Sequence, residues 1–172
     1  LSLSPEAEED GLFHGMKVSV VRKMSHGVQL LPYNRSLYAR VNRYVYQAVS
    51  RFTPIVEPEG FDGFYLDMKG MRAIHGDMKN TGMSIIQRIR EQTNISGMVG
   101  ISINKLVSRI VTSVVPEIIH EVQGGEEAEF LSSLQPPVLP LVKENSVNRL
   151  IRFLCIKQIS HIQSMARRSD EF

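Results

Sequence analysis

Between Glu59 and Gly70 the chain reads EGFDGFYLDMKG, with Asp62 and Asp67 set among apolar residues in the alternation of a half-buried strand. Carboxylates along a strand suit divalent-cation chemistry, because magnesium takes hard oxygen donors in octahedral geometry. Glu59 is a third acid nearby, whereas Gly63, directly after Asp62, offers no side chain. The segment is thus an active site, the remains of one, or a plain strand. A second group is the basic pair Lys105 and Arg109, one helical turn apart. Such a pair serves either as a contact to nucleic-acid phosphate or as a solvated helix face. Arg40 and Arg43, on an earlier helix, read as solvated.

Other chemistries find little support. No P-loop, GxGxxG, HExxH or CxxC occurs, and His14, His26, His75, His120 and His161 are scattered without metal-ligand spacing. The single cysteine, Cys155, sits in the apolar run LIRFLCI and is expected to be a buried structural thiol. One cysteine excludes an intrachain disulfide and fits a reducing compartment. Twenty basic residues against eighteen acidic ones give no global excess of the kind that marks nucleic-acid binding by itself. No apolar run is long enough to span a bilayer, and no signal peptide is visible. The chain begins at Leu1 rather than Met, which leaves room for an upstream segment.

These residues need elements to hold them. The pattern predicts a short helix at Val18–Met24, a brief strand at 28–32, and a helix capped by Ser36 with Tyr38, Val41, Val45, Val49 and Phe52 on its inner face. Thr53-Pro54 should end that helix, and a strand from 55 should run into the acidic segment. Residues 71–77 read as irregular. A helix over 79–92 is expected to turn Met83, Ile85, Ile86 and Ile89 inward. Strands at 97–103 and 118–122 flank a helix at 104–115, and the glycines of GMVGISI suggest that another backbone passes close. After Gly124-Gly125 the pattern is helical, with a proline-rich turn and short helices around 145–154 and 157–166. The order indicates an α+β domain followed by a small helical region.

Four ordered blocks carry a resemblance. Gly60-Phe61-Asp62-Gly63-Phe64-Tyr65-Leu66-Asp67 resembles the S-I-D-E-A-Y-L-D strand of Y-family, translesion (DinB/UmuC-like) DNA polymerases. EAEEDGLFHGM at 6–16, LPYNRSLYARVNRYV at 31–45 and VGISINKLVSRIV at 99–111 resemble further motifs of that family. The resemblance implies an α+β right-hand core: partial fingers at 1–34, a palm at 35–123 with a mixed or antiparallel sheet and helices on one face, and a helical thumb at 124–172 with a degenerate helix-hairpin-helix. In the family an aspartate–glutamate pair on the quoted strand, with an aspartate on an earlier strand that would precede Leu1, holds two magnesium ions.

Set against that pattern, the active site looks eroded. Asp62 matches the aspartate and would be a residual, weak metal ligand, but Gly63 stands where the family has its glutamate. Pro5 and Glu8 stand where a tyrosine and an arginine clamp the triphosphate, and an anion there repels phosphate. The thumb turn lacks its glycines at Leu139-Pro140-Leu141-Val142-Lys143. Lys105, Arg109, Lys143, Arg149 and Arg152 remain as candidate DNA contacts. The pattern is most similar to ImuB-type homologues, which lack polymerase activity. It implies a module for DNA repair or translesion synthesis that binds primer-template or damaged DNA, expected to be inactive, with no cofactor beyond magnesium at any surviving site. A sliding clamp and an error-prone polymerase would be engaged through regions outside this chain, in a bacterial cytoplasm at the nucleoid, with no membrane. The alternative is an active but atypical nucleotidyltransferase, with Glu59 as the other nearby carboxylate.

Overall fold

The computed structural model describes residues 3–13, 15–24, 27–60 and 62–169, and the side chains of Pro5, Lys143, Arg167, Arg168 and Ser169 stand outside that description. The expectations placed on His14, His26 and Phe61 lie outside the described residues. The chain divides into two compact units, Leu1–Ser36 and Leu37–Phe172.

The first unit holds helices α1 (Pro5–Glu9) and α2 (Val18–Met24). Ser4 caps α1 by accepting from the Ala7 N–H, and Pro5 occupies the first turn, where a missing N–H costs nothing. Leu12, Met16 and Val21 form a small core against which Leu3, Ala7, Val28 and Leu30 pack. The strand expected at 28–32 is absent. Val28 and Leu30 do alternate inward with Gln29 and Leu31 outward, but among the described residues no neighbouring strand supplies a hydrogen-bond ladder.

Helix α3 spans Arg35–Val49. Ser36 lies inside it rather than capping it, and its hydroxyl donates to Asn34 Oδ1 at 2.8 Å. Burial grows towards its C-terminal end, where Ala48 and Val49 are enclosed, while Tyr38, expected inward, is exposed. Thr53 then ties the exit of α3 to the following hairpin. Buried itself, it donates to the Asp67 carbonyl at 2.5 Å and accepts from the Ile55 N–H at 3.2 Å.

The hairpin consists of β1 (Val56–Glu59) and β2 (Gly63–Leu66), antiparallel, with Gly60 at φ 64 in the turn. A positive φ there favours glycine, which lacks the β carbon that would clash. The segment expected to be irregular contains a short helix α4 (Arg72–His75), anchored by the His75 Nε2–H donating to the Phe52 carbonyl at 2.9 Å. Helix α5 (Met78–Thr93) is capped by Asp77, whose carboxylate accepts from the Asn80 N–H.

A second pair of strands, β3 (Val99–Ile101) and β4 (Ile119–Glu121), is parallel and joined through α6 (Lys105–Val114). The α+β class therefore stands, with the described strands arranged as two two-stranded sheets. Helix α5 packs on β3 and β4 with Thr81, Gly82 and Ile85 facing them. A β carbon at Gly82 would lie 3.2 Å from Ile119 Cδ1 and 3.4 Å from Val99 Cγ1. That orientation turns Met83 outward, contrary to the expectation from periodicity, and leaves it exposed.

Helix α6 is capped by Asn104, which accepts from the Val107 N–H at 2.8 Å. Its inner face, Val107, Ile110 and Val111, is almost fully enclosed. Val122, Phe130 and Leu131 pack against Val107 and Val111. Helix α7 (Glu127–Ser132) packs against α9 (Ile159–Ser169). Two short 3-10 turns, Pro136–Val138 and Pro140–Lys143, lead into α8 (Asn145–Phe153). Cys155 is exposed, not buried, at φ 52. It follows the last turn of α8 in the left-handed conformation that ends a helix, and this carries its side chain out of the apolar run.

Gly100 is the most closely approached of the glycines. A β carbon there would sit 2.1 Å from the Ser108 carbonyl oxygen, so the backbone of α6 occupies the space a side chain would need. Gly100→Ala should lower the unfolding free energy by about 1–3 kcal/mol through overpacking against rigid backbone. Thermal or urea denaturation measures this, with Gly63→Ala as a control of much smaller effect, because its new methyl would meet Glu59 no closer than 3.2 Å.

Candidate functional site

The register of the hairpin sets Glu57 opposite Tyr65 and Glu59 opposite Gly63. Residues directly opposite in an antiparallel pair share a face, so Glu57, Glu59, Gly63 and Tyr65 form one surface. Two cations of α6 meet it. Lys105 Nζ pairs with Glu57 Oε2, and Arg109 Nη1 pairs with Glu59 Oε1. The match is one of repeat lengths. Two residues of strand advance about 6.7 Å, and four residues of helix about 6 Å, so the two ion pairs form side by side. Lys105 Nζ also lies 5.5 Å from the centre of the Tyr65 ring, within reach of a cation–π attraction.

Tyr65 is drawn into the same network. Partial burial, then a hydrogen bond to Glu59 and the Glu59 charge, push its phenol above the ordinary tyrosine value, while Arg109 opposes the shift. Glu59 is thus engaged by Arg109 and Tyr65 together. Its carboxylate also borders the gap at Gly63: a β carbon there would lie 3.8 Å from Glu59 Oε2. The acid that faces this position comes from across the hairpin.

Asp62 lies in the turn just before β2 and is exposed, so it is not a strand residue. A two-metal phosphoryl-transfer centre needs carboxylates that bridge ions about 4 Å apart. Among the described residues no group of three or more His, Cys, Asp or Glu side chains is placed to hold a metal ion. Asp62 with a Glu59 already committed to Arg109 does not fit such a centre. Asp67 accepts from the Lys69 N–H at 2.9 Å, a local turn contact.

The remaining candidates lie elsewhere. Glu8 is exposed on α1, and Pro5 begins that helix. Lys143 ends the second 3-10 turn, with its side chain outside the described ones. Arg149 and Arg152 are exposed, three residues apart on α8. Lys105 and Arg109 are thus brought together as expected, but with acids the charge pattern of α6 alone does not reveal. The signal was present in the alternation of Glu57 and Glu59, whose spacing along β1 matches that of the basic pair along α6.

Comparison with known proteins adds the family. Residues 1–113 match the sequence profile of the impB/mucB/samB family. The chain belongs to this family, which is that of the Y-family DNA polymerases. It is similar to the DNA polymerase IV of Dehalococcoides mccartyi, at 31% identity over 138 residues that cover 80% of this chain and 35% of that protein. The DNA polymerase IV of Desulfatibacillum aliphaticivorans is 28% identical over 167 residues, covering 96% and 42%. The chain therefore spans well under half the length of these curated relatives. Among solved structures, a DinB family error-prone DNA polymerase from Sulfolobus solfataricus superposes with a TM-score of 0.80 at 21% identity, covering 95% of this chain and 50% of that one. The insertion ternary complex of Dbh DNA polymerase gives 0.79 at 21%, covering 94% and 47%. These likenesses establish the fold as that of a Y-family polymerase. Among the described residues no helix is long and apolar enough to cross a membrane.

The surroundings of Tyr65 make a testable statement. Because the neutral phenol is favoured, its ionisation moves to higher pH than the ordinary value near 10. A spectrophotometric phenolate titration should therefore lose its high-pH component in Tyr65→Phe. In Glu59→Gln that component should move down, since a neighbouring anion is removed.

Proposed function

We propose that this chain is the core of a catalytically degenerate Y-family protein that acts in DNA repair by translesion synthesis, holding DNA and replication partners rather than extending a primer. In this reading residues 1–34 are partial fingers, 35–123 a palm and 124–172 a thumb. Lys105, Arg109, Lys143, Arg149 and Arg152 supply contacts to the DNA backbone, and Asp62 is at most a weak ligand for magnesium. The sliding clamp and the error-prone polymerase bind through parts of the protein outside this chain.

The observation that carries the reading is the gap at Gly63. Resemblance to the family places a glutamate there, and the space beside it borders a Glu59 already paired with Arg109 and hydrogen-bonded to Tyr65. A carboxylate so engaged is poorly available to a cation. Glu8, an anion where the family carries a triphosphate-binding cation, weighs the same way.

A second reading, an atypical nucleotidyltransferase, draws on the same Glu59, which lies across the hairpin from the lost side chain. Primer extension by the full-length protein separates the two. The expected result is no incorporation with magnesium or manganese while DNA binding persists. Incorporation that disappears in Glu59→Gln would overturn the degenerate reading in favour of the second.

A further inference from the structure

We propose that Glu57 and Glu59 mask Lys105 and Arg109, so that the hairpin's own carboxylates compete with the DNA backbone for these two cations. The inference rests on the DNA-binding reading above and adds a built-in restraint on it.

Both cations of α6 are spent on acids of the same chain. An exposed ion pair contributes little, because water and salt already screen it and its side chains lose freedom on pairing. A DNA phosphate can therefore displace the carboxylate, with release of counterions in favour of the exchange. The two pairs differ in how readily they open. Lys105 and Glu57 are both 58% exposed, which leaves the lysine free to swing to a new partner. Arg109 and Glu59 are less so, at 46% and 30%, and Tyr65 interacts with both of them. Lys105 is thus the cation released first. Arg109 follows only if the Glu59–Tyr65 contact yields or the arginine leaves it behind. The acids also set a field. Two carboxylates on the hairpin face repel a phosphate backbone approaching α6, and that repulsion would persist after the cations are released.

Masking and repulsion make different predictions. DNA binding by the full-length protein is measured across a salt titration for the parent, Glu57→Gln, Glu59→Gln, Lys105→Ala and Glu57→Gln/Lys105→Ala. Glu57→Gln is expected to tighten binding at low salt about twofold to fivefold, the range an exposed ion pair spans. The slope of log K against log salt should steepen by about 0.9 for the cation freed onto duplex DNA. Relative to Lys105→Ala alone, adding Glu57→Gln should leave the slope unchanged and give only the smaller gain that comes from removing the field. A gain of the same size without Lys105 would overturn masking, since the field alone would then account for it. Unchanged affinity and slope in Glu57→Gln, with the parent still binding DNA, would also overturn it and leave the DNA-binding reading intact. Absence of salt-dependent binding in every variant would remove that reading and the mask with it. Glu59→Gln should act in the same direction with a gain at least as large, because the less exposed pair masks its cation more fully, and its melting temperature reports whether the hairpin has loosened.

Discussion

The approach of α6 to β3 governs the second unit. With the Ser108 carbonyl lying where a side chain at position 100 would begin, helix and strand are held closer than any residue but glycine allows. This closeness lets a short parallel pair, β3 and β4, cover the inner face of α6 together with Val122, Phe130 and Leu131. It also fixes the rotation of the helix about its axis. Once Val107, Ile110 and Val111 turn inward, Lys105 and Arg109 must emerge on the side where the hairpin carries its acids. A backbone contact thus decides where the charges meet.

Much of this was legible in local sequence, for identifiable reasons. Helices α5 and α6 announce themselves through 3.6-residue periodicity, and Asp77 and Asn104 cap them through bonds spanning three residues. The close approach at Gly100 followed from a glycine in a strand pattern. What failed to read were features settled by distant partners. The 28–32 segment has the alternation of a strand but, among the described residues, no neighbour to pair with. Met83 has the character of a core residue, yet the depth at which Gly82 lets α5 sit on Ile119 and Val99 turns it out. Cys155 looked buried because its neighbours are apolar, whereas its backbone conformation is that of a helix stop.

The candidate site shows the same division. Gly63 and the basic pair stand out from the sequence alone, one through an absent side chain and the other through helical spacing. The pairing of Glu57 with Lys105 and of Glu59 with Arg109 does not, since it depends on hairpin register and on the placement of α6 at once. Segments nearly fifty residues apart meet there. Comparison with relatives supplies the fold and the family, while the charge arrangement is read from this chain's own residues. An acid carried at position 63 itself and an acid facing that spot from β1 differ greatly for chemistry, though either puts negative charge there.

The left-handed residue after α8 has a practical side. The chain has one cysteine, and it is exposed at the end of the helix that carries Arg149 and Arg152. A thiol-reactive fluorophore would attach there alone, with no residue replaced. The molecule thus carries a native reporter three residues beyond Arg152, suited to following by emission what approaches that helix.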